Sequence, residues 1–185
     1  MSRSTCRKRV QLTLGLVVVA LTAPAMADHP INAEFQSDVR CVDGFASEFP
    51  CQRIDLLSHL PLKQMGGGLG NDLWGWRDPV TGREYAIMGR TSGTAFIDIT
   101  DPFDPLFVGN LQGNGAPSVW RDVKVYRDHA FIVSESQGHG MQVFDLTRLR
   151  GVRSGGPLTA DTIYRGIGSA HNVAINEQTG YAYVV

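Results

Sequence analysis

A fifty-residue offset constrains this chain more than any other feature. Asp72-Leu73-Trp74-Gly75-Trp76, Asp122-Val123-Lys124-Val125-Tyr126 and Asn172-Val173-Ala174-Ile175-Asn176 open three similar units, each start fifty residues after the one before. A second short apolar run follows each: Tyr85-Ala86-Ile87-Met88, His129-Ala130-Phe131-Ile132 and Tyr181-Ala182-Tyr183-Val184. The links between them are Asp78-Pro79-Val80-Thr81-Gly82, Arg127-Asp128 and Glu177-Gln178-Thr179-Gly180, residues that favour turns. Third strands are expected at Phe96–Thr100 and Val143–Thr147, and fourth strands at Leu106–Gly109 and Thr162–Tyr164. No helical periodicity of useful length follows residue 27. Four short strands in a unit of about 40–50 residues is the blade pattern of a β-propeller. A β-sandwich also spaces its strands evenly, but the fixed offset favours the propeller.

The expected architecture is therefore all-β, with four-stranded propeller blades in units starting near residues 72, 122 and 172. A closed ring takes typically four to eight blades; residues 71–185 supply about two and a half. The chain ends on Tyr183-Val184-Val185, inside an expected strand. This reads as the N-terminal part of a longer protein. A ring made from several chains is the alternative, and a third reading is a chain whose open edges drive aggregation.

Residues 1–27 read as an export signal. Arg7-Lys8-Arg9 precede an apolar stretch from Val10 to Ala23, and Ala25-Met26-Ala27 forms an A-x-A cleavage site, so the mature chain is expected to begin at Asp28. The apolar run is short for a membrane span, and no later segment could serve as one. Removing the signal leaves 13 basic against 18 acidic residues, which argues against a nucleic-acid partner. Export makes an oxidising environment the expectation, and the mature chain holds two cysteines, Cys41 and Cys51. They are expected to form one disulfide within an entry segment, residues 28–70, that ends in the glycine-rich break Gly66-Gly67-Gly68-Leu69-Gly70. Two cysteines at this spacing, with no close histidine, suit a zinc site poorly.

Phe96-Ile97-Asp98-Ile99-Thr100-Asp101-Pro102, followed by Asp104-Pro105-Leu106, resembles the LVIVD repeat, a propeller-blade motif of secreted bacterial proteins. Asn71–Trp76, Gly82–Ala86, Trp120–Tyr126, Ser134-Glu135, Gly138–Leu146 and Ala170–Val173 resemble the choice-of-anchor B family, as does the Cys41–Cys51 segment running into Asp55-Leu56-Leu57. The resemblance covers nearly all of the mature chain. It implies an exported, surface-associated protein with varying C-terminal attachment modules. It implies no activity.

Antiparallel geometry places the start of each first strand and the loop between second and third strands at one end of a unit. That end gathers Asn71, Asp72, Arg121, Asp122, His171 and Asn172, with Arg90, Thr91, Ser92, Glu135, Gln137 and His139 from the loops. In a propeller, first strands line the central channel, so Asn71, Asp72, Arg121, Asp122, Glu135, His139, His171 and Asn172 are the candidate ligand-binding residues of a funnel. Such a funnel suits a sugar, a peptide or a metal ion. No cofactor is expected; carboxylate and amide oxygens would suit Ca²⁺ and the histidines a transition metal. The alternative is local structure: Asp and Asn at strand starts commonly bond nearby backbone. Asp98 and Asp145, each two residues before a threonine, are expected to set the exit turns of the third strands. Trp74 and Trp76 are expected to pack within the blade, a sugar-stacking platform being the alternative.

The chain lacks G-x-S-x-G, H-E-x-x-H, C-x-x-C and an EF-hand loop. The expected function is a binding or scaffold module, without catalytic residues, that recognises a surface ligand, glycan or protein through one face. Export leaves the cell surface, the exterior and the periplasm as locations. The alternative is a metal-dependent hydrolase using the same funnel, with Asp72, Asp122 or Glu135 as ligands and His139 or His171 as acid or base.

Overall fold

Each short apolar run becomes a strand because turn chemistry stops it on both sides. The computed structural model describes residues 34–185. The expected signal segment, residues 1–27, and its cleavage point before Asp28 lie outside the described residues. Within them the chain is all-β, apart from two short 3₁₀ turns.

The entry segment is a small layer of its own. Strand β1 (Gln36–Val39) is followed by a minimal hairpin, β2 (Phe45–Ala46) with β3 (Phe49–Pro50), and then pairs antiparallel with β4 (Leu56–His59). Cys41 and Cys51 are joined in a disulfide across this hairpin, with Cα atoms 5.9 Å apart. A 3₁₀ turn, Leu62–Met65, then ends in three successive glycines of positive φ: Gly66 at 97°, Gly67 at 71° and Gly68 at 82°. These glycines close over a buried arginine. A Cβ on Gly66 would come within 3.3 Å of both terminal nitrogens of Arg90, and Arg90 Nη1 donates to the Gly67 carbonyl at 2.6 Å.

The first large sheet is built from β5 (Gly70–Arg77), β6 (Glu84–Arg90), β7 (Gly93–Asp98) and β8 (Leu106–Gln112), each antiparallel to the one before. The second begins with β9 (Arg121–Tyr126), β10 (His129–Ser134) and β11 (Met141–Asp145). The chain then returns to the first sheet, where β12 (Pro157–Leu158) adds parallel to β8, before β13 (Thr162–Tyr164) completes the second sheet beside β11. A last hairpin pairs β14 (Val173–Asn176) with β15 (Tyr181–Val184).

The turns follow from their residues. Arg127 and Asp128 both have positive φ, 46° and 60°, as a two-residue hairpin that matches strand twist requires. Asp98 Oδ1 accepts from the N–H and hydroxyl of Thr100, and Asp145 Oδ1 accepts from those of Thr147. The repeated Asp-x-Thr thus sets the exit of each third strand, ending the expected strands near these aspartates rather than at the threonines.

One core joins the two large sheets. Phe96 of β7 meets Phe144 of β11 at 4.7 Å between ring centroids, among Ile87, Leu111, Val123 and Ile132. Strand β7 is buried along its whole length because its other face, Ala95 and Ile97, is covered by Leu60, Leu62 and Met65 from the entry segment. Trp76 packs against Tyr85 at 5.2 Å, and its indole N–H donates to Asp128 in the second unit.

Asp78 adds a second link at that end. Its buried carboxylate accepts two hydrogen bonds from Arg150, at 2.8 and 2.7 Å, plus those of Val80 N–H and the Thr81 hydroxyl. The Arg150 guanidinium, more than the local turn, holds the Asp78 carboxyl far below the usual carboxylate range. Such a group contributes stability that is present above the ordinary Asp value, about 3.8, and is lost as pH falls through the folded one. Arg150→Met is therefore expected to lower the urea midpoint at pH 7, and the gap from wild type should narrow in acid. A midpoint unchanged at pH 7 would show that the pair does not tie the two units together.

No helix among the described residues is long and apolar enough to cross a membrane.

Candidate functional site

The site begins with a fault in the first ladder. Gly70 pairs with Arg90 and Leu73 with Met88, so Asn71 and Asp72 together oppose Gly89. Such a bulge turns side chains out of the regular alternation. Gly89 lets β9 approach closely here: a Cβ on it would lie 3.2 Å from Arg121 Cβ. The two freed side chains reach the next unit. Asn71 Oδ1 accepts the Arg121 N–H at 2.7 Å, and Asp72 Oδ2 accepts the Val123 N–H at 2.8 Å.

The same step recurs one unit later, where Asp122 Oδ2 accepts the Val173 N–H at 2.7 Å. The repeated aspartate is thus a clamp that fastens each first strand to the next. Val123 and Val173 are buried, so their N–H groups have no access to water and need these acceptors. Lys124 Nζ lies 2.5 Å from Asp122 Oδ1, 4.0 Å from Asp72 Oδ2 and 4.4 Å from the centre of the Trp74 ring. Burial alone would raise the Asp122 pKa; the Lys124 ammonium and the Val173 N–H outweigh it and hold the carboxyl below its ordinary value.

Arg121 points the other way, into the seam between the large sheets. Its Nε donates to the Arg90 carbonyl at 2.7 Å and its Nη1 to His139 Nε2 at 2.9 Å. A guanidinium can only donate. His139 Nε2 must therefore accept, leaving Nδ1 to carry the hydrogen that goes to the Gly140 carbonyl at 2.9 Å. Burial, with Arg90 nearby, lowers the Arg121 pKa to about 10, so the group stays charged at neutral pH. Burial is also the main cause that lowers the His139 pKa, and the charge of Arg121 adds to it. Gly113 makes room for the guanidinium, since a Cβ there would collide with it.

Above this framework lies a depression of about 190 Å³ lined by Asn71, Asp72, Trp120, Arg121, Asp122, His171 and Asn172. Six of the eight residues named from the sequence are thus brought together. Glu135 stands outside the lining and pairs with His171, Oε1 to Nδ1, at 2.5 Å; both are substantially exposed. His139 is fully buried and does not line the depression. Among the described residues, no three His, Cys, Asp or Glu side chains are grouped to hold a metal ion.

Trp120 is the lining residue that sequence reasoning passed over. Its side chain is half exposed, and its ring lies 5.9 Å from that of His171, tilted by 47°. The signal was a break in the repeat: at the fifty-residue offset the other units carry Gly70 and Ala170. Trp76 is buried against Tyr85, as a packing residue would be; Trp74 is instead exposed, with the Lys124 ammonium over its ring, because β5 is the edge strand of its sheet. Comparison with family models, with curated proteins and with solved structures finds no match to this chain.

Proposed function

We propose that this chain is part of an exported β-propeller of the LVIVD and choice-of-anchor B type. In this reading it is a binding module whose recognition face is the depression at the starts of β5, β9 and β14. The observation that carries the reading is the division of labour among its polar residues. Asp122, Arg121 and His139 have their hydrogen-bonding capacity directed to backbone or to one another, and Asp72 commits Oδ2 to the Val123 N–H. Trp120, His171, Glu135 and Asn172 form an exposed surface around the depression. A rigid frame with a free polar and aromatic rim is what recognition needs, because few groups must be ordered on binding. The inter-unit clamp at a fixed offset supports blades arranged around an axis, and the Cys41–Cys51 bond suits an oxidising exterior. The module acts without catalysis at the cell surface or beyond it.

The test is co-sedimentation of the labelled exported chain with intact cells of the producing bacterium. Saturable binding is expected, reduced by at least about tenfold in a Trp120→Ala/His171→Ala double variant whose urea midpoint matches wild type. Cells that bind wild type and the double variant equally, or neither, would overturn this reading.

A further inference from the structure

We infer that the depression takes one pyranose ring of a neutral glycan, stacked on Trp120. The inference rests on the recognition reading above and gives that face a ligand class.

Three features of the site select this chemistry. The first is the indole itself. Trp120 is a large ring half exposed at a position where the other units carry Gly70 and Ala170, so no packing role of the repeat requires it. The negative face of an aromatic ring attracts electropositive hydrogens. A pyranose offers a face of C–H groups of that kind, and its flat body matches the indole in size. The tilted His171 ring, 5.9 Å away, bounds the same space on a second side.

The second is the pattern of unused hydrogen-bonding groups. Asn71 spends its oxygen on the Arg121 N–H, and its amide N–H groups have no partner among the described residues. The Asn172 side-chain amide likewise bonds no described residue, and Asp72 uses only Oδ2. Donors and acceptors are therefore mixed around one small hollow. Hydroxyl groups, which both donate and accept, satisfy such a mixture; a phosphate or an ammonium does not.

The third is charge. An acidic hollow would ordinarily draw a cation, but Lys124 already stands between Asp122 and Asp72. The Arg121 guanidinium is directed into the seam and is not offered to an anion. What is left is a polar surface on which Lys124 offsets one of the two carboxylate charges. A volume of about 190 Å³ falls below the roughly 300–1,000 Å³ of drug-sized pockets and suits a single ring. One ring alone binds with a Kd near the millimolar range. Tight attachment then needs several rings or several copies.

The test uses the exported chain, Trp120→Ala and Trp120→Phe on a printed glycan array, followed by calorimetric titration with the monosaccharide common to the retained glycans. Retention of neutral glycans, about tenfold weaker binding by Trp120→Ala and partial recovery with Trp120→Phe are expected. Competition of the free monosaccharide against cell binding separates the sources: displacement identifies a surface glycan as the ligand, and titration without displacement identifies a soluble sugar. Either supports a pyranose site. No retained neutral glycan, or retention indifferent to Trp120, would overturn it. Trp120-dependent binding to cells with no glycan retained would sink the sugar alone and leave the recognition face standing; failure of both would sink both.

Discussion

Asp122→Ala is expected to lower stability by about 1–4 kcal/mol, with the slope of the urea transition unchanged. The estimate follows from what the carboxylate holds. Its Oδ2 accepts the buried Val173 N–H at 2.7 Å, and its Oδ1 receives Lys124 and, at 3.1 Å, the Val123 N–H. A stranded buried N–H costs about 1–3 kcal/mol, and the loss of a charged partner for the largely covered Lys124 adds up to about 1. Asp122→Asn separates the two parts. The amide oxygen still accepts from Val173, while the amide NH2 replaces the acceptor that Oδ1 offers to Lys124 and the Val123 N–H, and a smaller drop of about 1–2 kcal/mol is expected. Asp72→Ala should fall between, because its side chain is more exposed and Lys124 stands farther from it. Equal effects of Asp122→Ala and Asp122→Asn would show that charge, not the backbone clamp, is what matters.

Acid should open the seam between the two large sheets before any carboxylate is titrated. His139 is fully buried and neutral, donating from Nδ1 to Gly140 and accepting from Arg121 at Nε2. A proton on Nε2 would face the Arg121 guanidinium, with the Arg90 charge behind it. The other groups packed around the ring, Asn114 on its own carbonyl and Gln142 of β11, carry no charge to compensate. The folded pKa therefore lies below the unfolded value of about 6.5. Between the two, the unfolded chain binds more protons, so stability rises with pH. The contribution is whole above about 6.5 and is lost as pH falls toward the folded value, by at most about 1.4 kcal/mol per pH unit. Thermal melts from pH 7.5 to 4.5 should show this decline. His139→Gln, whose side-chain oxygen can still accept from Arg121, should flatten it. The aspartates held below their ordinary pKa, Asp55, Asp78, Asp98, Asp122 and Asp145, lose their contributions only below about 3.8, so the two windows are separate. A decline equally steep in His139→Gln would assign it elsewhere.

The regular parts of this fold were legible in the sequence because they recur. The unit starts at 72, 122 and 172, the Arg127-Asp128 turn and the Asp-x-Thr exits each repeat or carry their own turn chemistry, and the structure places strands where they indicate. The convergence of Asn71, Asp72, Arg121, Asp122, His171 and Asn172 was expected from antiparallel geometry together with first strands lining a common channel. What the side chains do there did not. The bulge opposite Gly89 depends on pairing between strands, which leaves no periodic trace. The direction of Arg121 depends on a glycine at 113 and a histidine at 139, neither of which belongs to the repeat. Strand β12 is two residues long and pairs parallel with a strand nearly fifty positions earlier, too little for any pattern to reveal. Trp120 was legible only as an exception, an aromatic where the repeat is otherwise small. The irregular residues are thus the informative ones for function, since the regular ones are taken up by the fold.

The central claim is that the carboxylates of Asp72 and Asp122 serve first as acceptors for backbone N–H groups, fastening each first strand to the next. Native-state hydrogen exchange at the Val123 and Val173 amides measures this most directly. Strong protection of both is expected in the wild-type chain, with the larger loss at Val123 in Asp72→Ala and at Val173 in Asp122→Ala. Rapid exchange of both amides in the wild type would contradict the account: the two aspartates would then be available to a metal ion or a substrate, as the hydrolase alternative requires.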